Sequence, residues 1–75
     1  MAIASVVIEV EQGTSETVLQ GLAQMPNLSV YGMKENQIVT VVEGDTIQSV
    51  DDSVKTVLNM ADVIGVFPVY AGDYV

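Results

Sequence analysis

The chain has 75 residues, with ten acidic and two basic side chains and a formal net charge of −8 at pH 7. It contains neither cysteine nor histidine, which excludes disulfides, the usual zinc, copper and iron sites, and a thiolate or imidazole as catalyst. Two lysines are too few to neutralise phosphates, so nucleic acid is a poor partner. The composition predicts one small domain, residues 1–75, without cofactor or metal, whose acidic surface either attracts a cationic partner or only keeps the chain soluble.

The first twelve residues, MAIASVVIEVEQ, do not look like a secretory signal peptide. They lack a basic region, and Glu9 interrupts their short apolar run. No stretch of the sequence approaches the roughly 18 apolar residues that would span a bilayer. We therefore expect a cytoplasmic protein that does not insert into a membrane.

In chain order, segment 3–10 is rich in β-branched residues and predicts a strand. The following segment has apolar residues at helical spacing and predicts a helix that is capped by Thr14 or Ser15 and ends at Pro26. Segments 28–33 and 37–43 then predict a β-hairpin with a polar turn.

The second helix has the clearest periodicity in the chain, with an apolar stripe that runs from Ile47 to Ala61. Asp45, followed by Gln48 three residues later, is a variant of the capping box at its start. Segment 63–70 predicts the last strand, and Pro68 within it is typical of a strand at a sheet edge.

The order β-α-β-β-α-β predicts an α+β fold of the ferredoxin-like type. In that fold a four-stranded antiparallel sheet, with strand order 4-1-3-2, carries both helices on one face. The two halves of the sequence also resemble each other, since Val10-Glu11 precedes Thr14 as Val42-Glu43 precedes Thr46.

The alternation of side chains along each strand predicts which of them face the helices and which face away. Glu9 and Thr40, taken as outward-facing polar residues, set the phase of the two central strands. Val39 and Val41 are then predicted to face the helices, as are Ile64, Val66 and Pro68 of the last strand. The side chains predicted on the uncovered face are Ser5, Val7, Glu9, Tyr31, Met33, Ile38, Thr40, Val42, Phe67 and Val69.

This predicted face is apolar in the middle and acidic at its ends, with Glu9 at one end and Glu43 near the other. Apolar area of that kind rarely stays bare on a soluble monomer. A helix that is apolar along its body and cationic at one end matches it. A homodimer, or a C-terminal segment folded over the face, matches it as well. Glu9 and Glu11 have no accompanying pocket signal, so we expect a binding protein rather than an enzyme.

The sequence resembles the NapD family over nearly its whole length. The segments that carry the resemblance are Ser5-Val6-Val7, residues 38–43, residues 63–66 and Val69-Tyr70. The resemblance implies a cytoplasmic chaperone that binds the twin-arginine signal peptide of the periplasmic nitrate reductase catalytic subunit on its sheet. It also implies that binding holds back export until the molybdenum cofactor has been inserted. The chain departs from the family pattern at Pro68 and at Ala71, where a histidine is common.

On this hypothesis, the ten side chains of the predicted uncovered face become the candidate peptide-binding residues. Glu9 is the first candidate for a contact to an arginine, and the protein is expected to be a monomer or a weak homodimer. Two alternatives remain open. One is a small-molecule regulatory module of the ACT type, and the other is a domain that dimerises through Ile38 and Val42.

Overall fold

A computed structural model describes residues 1–73 of the chain. Within them, the elements in chain order are β1 (Ala2–Val10), α1 (Ser15–Leu22), β2 (Leu28–Lys34), β3 (Gln37–Gly44), α2 (Ile47–Leu58) and β4 (Val63–Asp73). The strands form one antiparallel sheet in the order β2-β3-β1-β4, which is the predicted order 4-1-3-2 seen from the other edge. The predicted ferredoxin-like α+β fold is therefore confirmed.

The core lies between the helices and one face of the sheet, and β1 runs through its middle. Buried and half-buried residues alternate along all of β1, as expected for a central strand with one covered face. The buried apolar residues of this core are Ala2, Ala4, Val6, Ile8, Val10, Val18, Leu22, Leu28, Ile38, Val42, Val50 and Val57. None of the helices within residues 1–73 is long and apolar enough to cross a membrane.

The predicted phase of β3 is wrong by one residue. Its three fully buried side chains, each with 0% exposure, are Ile38, Thr40 and Val42. They lie opposite inward-facing residues of β1, so Val39 and Val41 are the ones on the uncovered face. The prediction failed because Thr40 was taken as an outward-facing polar residue. Its hydroxyl instead donates a hydrogen bond to the Val6 carbonyl at 3.3 Å, which satisfies it inside the core.

A register shift in β2 overturns a second prediction. The pairing with β3 passes from Val30 to Gly32, which leaves Tyr31 as the extra residue of a bulge. Beyond the bulge, Met33 lies opposite the buried Ile38. Met33 is therefore on the helix side of the sheet, at its exposed edge, and not on the uncovered face.

Two further register shifts occur in β4, where it pairs with β1. The extra residues are Ile64 and Val69, and both are exposed. Ile64 was predicted to be in the core, and the bulge explains why it is not. Val66 and Pro68 lie opposite Ile8 and Val6 and face the helices, as predicted.

The second helix begins one residue later than predicted. Thr46, not Asp45, is the N-cap, and its hydroxyl accepts a hydrogen bond from the Ser49 backbone N–H at 3.1 Å. The Ser49 hydroxyl in turn accepts one from the Thr46 backbone N–H at 3.1 Å. Together they form a reciprocal capping box. The first helix ends at Leu22, before the predicted stop at Pro26.

Candidate functional site

The candidate site is the face of the sheet that the helices do not cover, called the open face below. Both helices contribute to the core on the opposite face. The exposed bulge residue Tyr31 lies at the β2 edge of the open face. By strand pairing, the open face comprises Ser29 and Lys34 of β2, Gln37, Val39, Val41 and Glu43 of β3, Ile3, Ser5, Val7 and Glu9 of β1, and Phe67 and Tyr70 of β4.

The middle of the open face is apolar. Val39, Val7 and Phe67 lie side by side across three adjacent strands. Val39 is 41% exposed and Phe67 is 54% exposed, so both are accessible to a partner. In the adjacent row, Ser5 separates Val41 from Tyr70. These two rows form an apolar strip that crosses β3, β1 and β4.

Two aromatic rings lie along β4 above glycines. A Cβ atom built on Gly65 would be 3.1 Å from Cζ of Phe67, and one built on Gly72 would be 3.0 Å from Cζ of Tyr70. Each ring therefore fills the space that a side chain at the glycine position would need. The two rings extend in opposite directions from the apolar strip, because Gly65 precedes Phe67 whereas Gly72 follows Tyr70.

Carboxylates stand at both ends of the open face. Glu9 lies between Gln37 and Gly65 across the sheet, and Glu43 lies opposite Ile3 at the other end of β1. Glu43 is six positions from Gln37 along β3, a separation of about 20 Å at a rise of about 3.3 Å per residue. The apolar strip is therefore bounded by negative charge on two sides.

The end that carries Glu9 has further carboxylates nearby. The Glu11 backbone N–H donates to the Asp62 carbonyl at 2.8 Å, and the Val10 N–H donates to the Asn36 carbonyl at 2.9 Å. These bonds bring Glu11 and Asp62, together with the hairpin that contains Glu35, to the carboxyl end of β1. The predicted acidic end is thus assembled from three loops.

Cations are scarce around this face. Lys34 lies on it, opposite Gln37, while Lys55 is on α2 and forms an ion pair with Asp51 at 3.0 Å. The hydrogen bond and charge of Asp51 raise the pKa of Lys55. Within residues 1–73, Glu9 has neither an ion pair nor a side-chain hydrogen bond. Its carboxylate is therefore free to accept hydrogen bonds from a ligand.

The structure separates the ten sequence-predicted candidates into two groups. Six lie on the open face or at its edges: Ser5, Val7, Glu9, Tyr31, Phe67 and Val69. Four lie on the helix side of the sheet: Met33, Ile38, Thr40 and Val42. Sequence reasoning missed Val39, Val41 and Tyr70. The polar residues that flank β3, Gln37 and Glu43, share the phase of Val39 and would have indicated it.

Two cavities lie elsewhere in the described part of the chain. A cleft of about 510 Å³ is lined by the loop after β1, by the first turn of α1 with Glu16, and by the β2–β3 turn with Glu35. A groove of about 170 Å³ lies between α2 and β4 and is lined mainly by apolar residues, among them Ile47 and Pro68. No group of side chains suited to hold a metal ion is found among residues 1–73.

Comparison with known proteins gives one family and one fold. The family model described as NapD protein matches residues 1–73. The chain is similar to the solution structure of the E. coli Tat proofreading chaperone protein NapD, with a TM-score of 0.85 and 20% sequence identity. That match covers 96% of this chain and 78% of the other. Among curated protein sequences, none matches this chain.

Proposed function

This chain belongs to the NapD family, and on that premise we propose that it is a chaperone for a protein exported by the twin-arginine route. The ligand is the twin-arginine signal peptide of the periplasmic nitrate reductase catalytic subunit precursor. Binding in the cytoplasm holds back export until the molybdenum cofactor has been inserted. The role is one of binding and not of catalysis.

The observation that supports this proposal most is the open face itself. It is a contiguous apolar strip, uncovered by the described residues and bounded at both ends by carboxylates. Patches of this kind on small proteins mark interaction sites. A twin-arginine signal peptide joins a cationic motif to an apolar stretch, and an apolar helix laid on the strip would gain about 25 cal/mol for each Å² buried.

The corrected strand phase changes which residues we propose for the contact. Val7, Val39, Val41 and Phe67 form the apolar floor under the peptide, and Ser5 lies among them. Tyr31 and Val69 stand at the two edges of the floor. Glu9 binds an arginine of the motif, and the acidic ends of the face steer the cationic peptide during encounter.

Titration calorimetry with a synthetic leader of the reductase catalytic subunit from the same genome tests the proposal. We expect saturable binding at one site, which weakens as salt rises because surface charges are screened. Absence of heat at low and at moderate salt contradicts the proposal.

A matched pair of variants locates the binding face. Val39→Asp places a charge in the middle of the apolar strip and should lower affinity by more than tenfold, whereas Leu58→Asp on α2 should leave it within about twofold. Both parent side chains are partly exposed, so both variants should fold. Equal losses for the two variants would place the peptide elsewhere.

Dimerisation through the open face is the competing use of the same surface, and sedimentation velocity separates the two. We expect a monomer or a weak homodimer whose dissociation is promoted by the leader peptide. A tight dimer that excludes the peptide would favour the self-association hypothesis instead.

A further inference from the structure

We infer that Glu9 and Phe67 together form a subsite on the open face that binds an arginine guanidinium in preference to a lysine ammonium. The inference deepens the proposed function and rests on it, since it assigns one residue of the cationic motif to one place on the sheet. Phe67 then has two roles: it contributes to the apolar floor, and it helps to recognise a cation.

The geometry of β4 brings the Phe67 ring towards Glu9. The pairing of β1 with β4 sets Glu9 directly opposite Gly65, and Cβ positions of such a pair are about 4.5–5.5 Å apart. The Phe67 ring extends back over Gly65, with Cζ and Cε2 at 3.1 and 3.2 Å from the position of a Gly65 Cβ. The ring thus fills the place where Gly65 has no side chain, next to the Glu9 side chain.

Both members of the subsite are available to a ligand. Phe67, the only phenylalanine of the chain, is 54% exposed and not buried in the core. Glu9 has no side-chain partner among residues 1–73. The nearest cation in the strand pairing is Lys34, two strands from Glu9 and about 10 Å away at the usual strand spacing. Within residues 1–73, therefore, neither the carboxylate nor the ring is paired with a cation.

A carboxylate beside an aromatic ring suits a guanidinium better than an ammonium. The guanidinium is planar, so it can donate two parallel hydrogen bonds to the carboxylate while it stacks on the ring. The ammonium is a compact, strongly hydrated point charge that cannot stack and is harder to desolvate. The carboxylate alone attracts both cations, and the neighbouring ring supplies the discrimination.

The other ring on β4 provides an internal control. Tyr70 is 55% exposed and lies over Gly72, as Phe67 lies over Gly65. The residue opposite Gly72 across the strand pair is Ile3, which carries no charge, whereas the residue opposite Gly65 is Glu9. The two aromatic residues share strand, face and exposure and differ in the neighbouring carboxylate, so a preference for arginine is expected from Phe67 and not from Tyr70.

The test is calorimetry with four synthetic leaders that differ only at the motif, which reads Arg-Arg, Arg-Lys, Lys-Arg or Lys-Lys. For the wild-type protein we expect the Arg-Arg leader to bind about tenfold more tightly than the Lys-Lys leader. One of the two single replacements should account for most of that loss, which identifies the arginine that occupies the subsite.

Variants of Phe67 and Glu9 then show how much each residue contributes to the preference for arginine over lysine. Phe67→Leu removes apolar contact and should weaken all four leaders, but it should also reduce the Arg-Arg to Lys-Lys ratio to about twofold or less. Phe67→Tyr should restore the ratio. Glu9→Gln should weaken all four leaders and flatten their salt dependence. Tyr70→Leu should leave the ratio at its wild-type value.

The outcomes separate this inference from the proposed function. Tight binding of all four leaders with equal affinity, or an unchanged ratio in Phe67→Leu, overturns the subsite while the peptide-binding role stands. Absence of binding by every leader overturns both.

Discussion

Asn27 ties the loop before β2 to both β3 and α2. Its Nδ2 donates to the Glu43 carbonyl at 3.0 Å and to the Ser53 hydroxyl at 2.8 Å, and both bonds are partly buried. Because Asn27→Ala removes both partly buried bonds, we expect it to lower the free energy of unfolding by about 1–2 kcal/mol. Urea denaturation measures the loss.

The control is Asn59→Ala. That side chain donates to the Lys55 carbonyl at the exposed end of α2, so water can replace the bond and a loss below about 0.5 kcal/mol is expected. Equal losses at the two asparagines would contradict the structural role of Asn27.

Gly44 lies where β3 ends and the chain turns towards α2, and it has no room for a side chain. A Cβ atom there would meet the Ser49 hydroxyl and lie 3.1 Å from Cγ2 and 3.2 Å from the backbone nitrogen of Val50. The backbone of α2 has to shift to accept it, so we expect Gly44→Ala to cost about 1–3 kcal/mol. At about 4–8 °C for each kcal/mol, thermal unfolding would resolve the change.

Gly32 is the matched glycine for this measurement. It also lies in a strand, but a Cβ atom there would meet nothing within 4 Å. Gly32→Ala should therefore leave the melting temperature within about 2 °C of the wild-type value. A comparable drop at Gly32 would show that the cost at Gly44 does not come from the contact with α2.

At the scale of the elements, substitutions in β3 test which of its residues face the core and which lie on the open face. Val42 is fully buried and Val41 is on the open face. A carboxylate at position 42 would be buried without a partner, at a cost of several kcal/mol that a domain of this size cannot absorb. We therefore expect Val42→Asp to unfold the protein, and Val41→Asp to fold but bind the leader peptide more than tenfold more weakly.

Far-UV circular dichroism followed by calorimetry distinguishes the two variants. A folded Val42→Asp together with an unfolded Val41→Asp would restore the phase that the sequence predicts for β3. The result therefore tests the strand register independently of any ligand.

The sequence allows β1 to be assigned correctly but not β3. In β1 the polar Ser5 and Glu9 both lie on the open face, and the residues between them follow the alternation. In β3 the polar Gln37 and Glu43 at the strand ends mark the open face, but Thr40 was chosen to set the phase, and its hydroxyl forms its hydrogen bond inside the core. Polarity alone could not reveal that, because a hydroxyl can be satisfied by a neighbouring strand.

Bulges account for the remaining errors in assigning strand residues to a face of the sheet. Met33 and Ile64 were assigned by continuing an alternation through positions where the strand pairing shifts. Bulges arise from how two strands twist and pair, which neither strand specifies in its own sequence. The rings above Gly65 and Gly72 were missed for a similar reason, since they follow from side-chain direction along β4.

For the molecule as a whole, the net charge of −8 should act in opposite directions on folding and on binding. Repulsion among ten carboxylates with two lysines destabilises the compact state, and salt screens it. Between about 0.02 and 0.5 M sodium chloride we expect the free energy of unfolding to rise by up to about 1 kcal/mol, which is the usual size of interactions between exposed charges. Over the same range, leader binding should weaken.

Urea denaturation and calorimetry at matched salt concentrations measure the two trends. Binding that is insensitive to salt, while stability rises, would mean that the acidic ends of the open face do not attract the peptide. Stability that falls with salt would instead mean that attractive charge contacts dominate the folded state.

The two edge strands of the sheet affect how readily the protein aggregates with other chains. Each edge is interrupted by register shifts, one in β2 and two in β4, and Pro68 offers no N–H to a neighbouring strand. Interrupted edges are poor templates for fibril growth. On the proposed function, the protein meets extended precursor chains in the cell. Its open face can bind a helix, while its interrupted edges disfavour the addition of a strand from a precursor or from a second copy.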